Sequence, residues 1–142
     1  MVCLGNICRS PIVEGILTKY LPKSLFKVDS AGTSSFHHGE KPDLRSIEIT
    51  KKNKIDISSQ KSRQFNVKDF ENFDHIYVMD NTNLKDILSL STNPKNYSKV
   101  KLLIKNKDVP DPYYGGIKEF KDCYDLIDKA CVKIANQLLK ND

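Results

Sequence analysis

The stretch Val2-Cys3-Leu4-Gly5-Asn6-Ile7-Cys8-Arg9-Ser10-Pro11 decides how the rest of the chain is read. It passes from a short apolar start through a glycine-containing turn to Ser10-Pro11, which opens a helix with Ser as N-cap and Pro at the first helical position. Ile12, Val13, Ile16, Leu17 and Tyr20 then recur at helical spacing until Leu21-Pro22 stops the run. A strand, a turn and a helix in direct succession begin a βαβ pattern.

The alternation continues downstream. Leu25-Phe26-Lys27-Val28 reads as a second strand that stops at Ser30-Ala31-Gly32-Thr33, and Pro42 opens a second helix that reaches about Lys54. His75-Ile76-Tyr77-Val78-Met79 reads as a buried strand ending at Asp80, followed by a short helix marked by Leu84, Ile87 and Leu88. Val100-Lys101-Leu102-Leu103-Ile104 is the fourth strand. After the turn-rich Asp111-Pro112-Tyr113-Tyr114-Gly115-Gly116, the residues Phe120, Tyr124, Ile127, Cys131, Ile134 and Leu138 step by four and three, giving a helix with one buried face. Four strands separated by helices predict a parallel sheet, and right-handed crossovers put every strand's C-terminal end along one edge. The loops after Val2, Val28 and Ile104 converge at that edge, where ligands of such sheets bind. With no internal repeat and no linker composition, residues 1–142 are expected to form one α/β domain.

Composition narrows the function. The 142 residues are 39% apolar and 29% charged, which fits a globular protein with a core of its own. No apolar run approaches the roughly 20 residues that cross a bilayer, and no secretory leader pattern is visible. Lys plus Arg total 23 against 18 Asp plus Glu, a formal +5 that favours anionic partners. The lysines are scattered, without a basic stripe interleaved with aromatics, so nucleic acid is not expected as a partner. Cys3, Cys8, Cys123 and Cys131 read as free thiols of a reducing, cytoplasmic environment.

The chemistry concentrates in two places. A loop that leads into a helix N-terminus aims several backbone N–H groups at one point, with the positive end of the helix dipole behind them. Gly5 permits close approach or positive φ, Asn6 tolerates the left-handed region, and Arg9 can fork two donors onto two phosphate oxygens. The same field favours the thiolate of Cys3, and Ser10 can donate to that sulfur, so a nucleophile sits beneath a bound tetrahedral anion. Asp111, bracketed by Pro110 and Pro112, can protonate a departing oxygen and then activate water. Tyr113 and Tyr114 can wall an aromatic leaving group. His37 and His38 form an isolated pair at the rim, and no cysteine spacing suits zinc, so neither metal nor cofactor is expected.

With these residues in view, Val2 to Pro11 resembles the signature of the low-molecular-weight protein tyrosine phosphatases, and Asp111-Pro112-Tyr113-Tyr114-Gly115 resembles their general-acid loop. Asp29-Ser30-Ala31-Gly32-Thr33, Lys61-Ser62-Arg63-Gln64 and Met79-Asp80-Asn81-Thr82-Asn83 also fall where that family's pattern has them, so the likeness spans nearly the whole chain. It implies a three-layer sandwich with a four-stranded parallel sheet flanked by helices, and phosphomonoester hydrolysis through a cysteinyl-phosphate. Cys3 is then the nucleophile, Arg9 the phosphate clamp and Asp111 the acid and base. Gly5 and Cys8 belong to the phosphate loop, which Asn6, Ser10 and Ser30 hold, while Leu4, Ile7, Phe36, Tyr113 and Tyr114 line the mouth and Asp80 braces the site. The implied partners are tyrosine-phosphorylated proteins or aryl phosphates, with inorganic phosphate as product and a monomer or weak homodimer as the acting species.

Three departures stand out. Only Met1 and Val2 precede Cys3, where the family carries several apolar residues; either the sheet centre is shortened or the numbering starts inside a longer chain. Phe36 stands where many relatives carry Trp. Gln60 stands where some carry a His that supports the loop asparagine. The resemblance also extends a reversible disulfide with the nucleophile to Cys8, whereas Cys123 and Cys131 read as core. Arginine phosphatases share the loop but tend to place Thr where Ile7 stands. Thioredoxin-coupled arsenate reductases share it too, with two further redox cysteines. A non-catalytic phosphate-binding module would need no Asp111.

Overall fold

The computed structural model describes residues 1–141; Asp142, the last residue of the expected domain, lies outside them. Four short strands, β1 (Val2–Cys3), β2 (Ala31–Gly32), β3 (Ile76–Val78) and β4 (Val100–Leu102), pair in parallel in the order β2-β1-β3-β4. The helices are α1 (Arg9–Tyr20), α2 (Leu44–Lys52), α3 (Asp69–Asn72), α4 (Asn81–Leu88), α5 (Pro94–Tyr97) and α6 (Ile117–Lys140). The alternation of strand side chains divides the core in two. Cys3, Tyr77 and Met79 face α1 and α6, beside Ile12, Ile16 and Ile127. Val2, Ile76 and Val78 face the other way, beside Phe65, Phe70 and Ile87. The result is an α/β sandwich of three layers.

Three expectations from the sequence need correction. Leu25–Val28 is not a strand: Leu25 and Phe26 donate to the carbonyl of Pro22, and Leu25 is 64% exposed. A strand exists only where a neighbour supplies a ladder, and β1 pairs with Ala31 and Gly32, the residues read as the strand's stop. Pro42 precedes the second helix without entering it. Asp43 is its N-cap, accepting from the Arg45 N–H at 2.9 Å. Ser10 does not cap α1: the cap position is Cys8, which makes no side-chain cap bond, and the Ser10 hydroxyl is used elsewhere. Two short helices, α3 and α5, carried no periodic signal long enough to read.

Candidate active site

The loop joining β1 to α1 is held from outside by its carbonyls. Those of Leu4, Gly5, Ile7 and Cys8 accept from the Ser34 amide, the Ser62 hydroxyl, the Asp43 amide and the Ser46 hydroxyl, at 2.8–3.1 Å. In a trans peptide the following amide points the opposite way, so the N–H groups of Gly5, Asn6, Cys8 and Arg9 turn inward. The Asn6 N–H lies 3.3 Å from Cys3 Sγ. A concavity of backbone donors at an uncapped helix start is an anion site.

Asn6 makes this curvature possible with φ of 56°, a left-handed conformation that Asn accepts better than most residues. Gly5 serves by close approach instead: a Cβ there would stand 3.0 Å from the His37 ring. The Asn6 side chain is tied on both ends. Its Nδ2 donates to Ser10 Oγ (2.7 Å) and Ser30 Oγ (2.9 Å), and its Oδ1 accepts from the Arg63 amide (3.1 Å). Ser10 Oγ lies 3.1 Å from Cys3 Sγ. Gln60 does not support this asparagine; its Nε2 donates to the Pro11 carbonyl, and the Arg63 backbone takes that place.

Arg9 is 2% exposed and fixed before any ligand arrives. Its Nη1 donates to Asp80 Oδ2 (2.7 Å) and to the Val109 carbonyl (2.8 Å), and its Nη2 stands 3.6 Å from Asp111 Oδ2. Burial acts against the guanidinium charge, but Cys3, Asp80 and Asp111 outweigh it and raise the pKa further. Asp80 also caps α4 through the Asn83 amide at 2.8 Å. One carboxylate thus fixes both a cation and a helix start.

Across a pocket of about 340 Å³, Asp111 and the tyrosines face Cys3, Leu4, Ile7 and Cys8. Phe36 (85% exposed) and Tyr114 (97% exposed) stand at its rim, and the Tyr113 and Tyr114 rings meet edge to face at 4.9 Å. His37 lines the same rim and pairs with Glu40. All four cysteines are free and buried. Burial, reinforced by Asp43, Cys3 and Asp111, pushes the Cys8 thiol far up. Burial likewise lifts Cys123 to about 12, against the opposing field of Arg9, and raises Cys131.

Two residues at the site escaped the sequence reading. Arg45, on α2, forks onto the Asp43 carboxylate and donates to the carbonyls of Tyr113 (3.0 Å) and Gly115 (2.9 Å). Its guanidinium lies 4.3 Å from the Phe120 ring centroid. It fastens the loop that carries Asp111 to the body of the domain. The spacing Asp43-x-Arg45 hinted at a cap, but nothing local pointed to residues so far ahead. Glu14 accepts from Ser30 Oγ at 2.6 Å and so stands behind Asn6; its carboxyl is held above the ordinary range, chiefly by burial.

A buried cysteine and arginine on a strand–loop–helix turn, with a carboxylate opposite, make a candidate anion-binding site on a parallel α/β scaffold. Comparison with known proteins gives the family. The family model for low molecular weight phosphotyrosine protein phosphatase matches residues 1–142, and the chain belongs to that family. It is 40% identical over 134 residues to the low molecular weight phosphotyrosine protein phosphatase of Schizosaccharomyces pombe, covering 87% of this chain and 85% of that one. Among solved structures it is similar to a protein tyrosine phosphatase from Entamoeba histolytica with Hepes in the active site. That likeness has a TM-score of 0.90 at 35% identity and covers 99% of this chain and 95% of the other. It is also similar to Wzb of Vibrio vulnificus in complex with benzylphosphonate, with a TM-score of 0.88 at 33% identity over 96% and 94% of the two chains.

Proposed function

We propose that this chain hydrolyses phosphotyrosine monoesters through a cysteinyl-phosphate. Cys3 Sγ attacks phosphorus while Asp111 protonates the departing phenolic oxygen. Asp111 then takes a proton from a water that attacks phosphorus, breaking the Cys3 Sγ–phosphorus bond, returning the Cys3 thiolate and releasing inorganic phosphate. The inward amides of the loop and the Arg9 guanidinium bind the equatorial oxygens, where charge spreads in the transition state. The observation that carries this reading is the Cys3–Ser10–Asn6 chain beneath a pre-fixed Arg9, with a carboxylate 3.6 Å from that guanidinium.

The aromatic rim of Phe36, Tyr113 and Tyr114 favours an aryl ester over a phosphoguanidine, and Wzb of Vibrio vulnificus, a structural relative, holds a benzylphosphonate. Ile7 fills the position where arginine phosphatases tend to place Thr. The arsenate reductase reading needs two accessible redox thiols, whereas Cys123 and Cys131 are buried on α6 with thiols raised by burial. Four free, buried thiols fit action in the cytoplasm, and the acting species in this reading is a monomer or weak homodimer.

The test is turnover of p-nitrophenyl phosphate and of a phosphotyrosine peptide by the wild type and by Cys3→Ser. The wild type turns over both, and Cys3→Ser loses at least about four orders of magnitude in kcat. Equal rates in the two proteins, or faster release of phosphate from phosphoarginine, would displace the assignment, as would arsenate-dependent consumption of thioredoxin.

A further inference from the structure

The lysines that lie scattered in sequence are gathered on one side of the fold. β4 is the open edge of the sheet, with β3 on one side and, among the described residues, no strand on the other. Lys99 and Leu103 use their backbone bonds on β3, so the alternation of a parallel ladder directs the amides and carbonyls of Val100 and Leu102 outward. A groove of about 770 Å³ wraps this edge. Leu84 of α4 lines it from one face of the sheet. From the other face comes a single stripe of α6: Leu126, Lys129, Ala130, Lys133, Ile134 and Gln137.

Five lysines rim the groove, Lys101, Lys105, Lys107, Lys129 and Lys133, and among the described residues no Asp or Glu lines it. All five are exposed, and none forms an ion pair among the described residues. Lys129 and Lys133 lie one helical turn apart on the same stripe of α6, so their charges add over the groove. Between the cations the floor is apolar, built from Leu102, Leu103, Ile104, Leu126 and Ile134.

We propose that this groove docks an extended acidic polypeptide segment, alternating carboxylate and apolar side chains, laid alongside β4 as an added strand. The sheet edge offers it backbone bonds; side chains on one face of the added strand reach Lys101, Lys129 and Lys133 on the α6 side, and those on the other face lie against Leu84 and Leu102. Charge complementarity selects an anion, and the remaining features select a peptide. No arginine lines the groove to fork onto phosphates or bases, and its one aromatic, Tyr77, is 9% exposed and cannot stack a base. The apolar surface is concave, whereas a bilayer needs an apolar surface that protrudes. The inference does not rest on the phosphatase reading, since the peptide carries no phosphate.

Fluorescence anisotropy of a short labelled peptide alternating glutamate with valine tests it on the full chain. The wild type binds it saturably, ignores the lysine–valine counterpart, and binds more weakly a shuffled peptide whose glutamates are consecutive. Lys101→Glu combined with Lys133→Glu weakens binding by at least about tenfold. The same variant keeps the wild-type far-UV circular dichroism spectrum and urea midpoint, which shows that it is folded. In NMR titration the amides of Val100 and Leu102 shift with the peptide. The proposal fails if the double variant binds as well as wild type, if the shuffled peptide binds equally, or if those amides stay still. It fails equally if oligothymidylate or phosphatidylserine vesicles bind the groove more tightly than the alternating peptide.

Discussion

Two loops face each other across the pocket, and they are built in opposite ways. The loop from Leu4 to Ser10 is closed below Leu4, which is itself 50% exposed: Asn6, Arg9 and Ser10 are at most 2% exposed, and four of the loop's carbonyls are tied down by neighbouring segments. The Asp111–Gly116 side is open. The Asp111 side chain is 41% exposed and Tyr114 97%, and the loop is fastened by its own Asp111–Tyr113 turn and by Arg45. The difference fits the proposed chemistry. Stabilising a dianion requires donors that do not reorganise, which only a buried network supplies. Delivering a proton to varied leaving groups requires a carboxylate that meets solvent and substrate, and a few anchors suffice. On the proposed mechanism binding and proton transfer are separable, and substitutions on the two sides should have different signatures.

Asp111→Asn should show the largest separation. Its kcat falls by about 10²- to 10⁴-fold on phenyl phosphate, while competitive inhibition by inorganic phosphate stays nearly intact. A collapse of phosphate inhibition with unchanged kcat would mean that the open side binds and the contrast is wrong. Asp80→Ala strikes the closed side. It leaves a buried Arg9 with the Val109 carbonyl and a carboxylate 3.6 Å away, so stability drops by about 3 kcal/mol in urea unfolding and phosphate affinity falls with it. Unfolding at the wild-type midpoint would show that Arg9 is not held as described.

Arg45→Ala sharpens the comparison because it loosens the acid loop without touching the pocket floor. Its kcat falls by about tenfold, more for poor leaving groups than for p-nitrophenol, with KM little changed, and Arg45→Lys recovers part of the loss. A uniform loss across leaving groups would assign Arg45 to general stability instead. Glu14→Gln has the smallest effect, on stability. The folded-state pKa of Glu14 is raised above its ordinary value of 4.5, so its ionised form opposes folding. That penalty is full above the raised pKa and gone below the unfolded value. Glu14→Gln therefore melts slightly higher than wild type at pH 7, and the gap closes as the pH falls toward 4. A gap that widens in acid would reverse the sign assigned to that carboxyl.

The parallel order of elements and the contents of the Val2–Pro11 loop were legible because they are local. Gly5-Asn6 curvature, the strand–loop–helix succession and the α6 stripe each depend on neighbours a few residues apart. The second strand was misplaced for the converse reason: whether Leu25–Val28 or Ala31–Gly32 joins the sheet depends on which residues β1 presents, and no propensity in the segment records that. Ser10 shows the same limit. Its position suited a cap, but the sulfur of Cys3 and the amide of Asn6 claimed its hydroxyl.

The linear order of residues was enough to show the family pattern and to single out the candidate nucleophile, guanidinium and carboxylate, since each is a matter of side-chain type at short spacing. Only the folded chain decided that Arg45 anchors a loop some 70 positions away, that Asp80 holds Arg9, and that five dispersed lysines share one groove. Those pairings arise when helices and strands stack, because packing brings together residues whose separation along the backbone carries no trace of their distance in space.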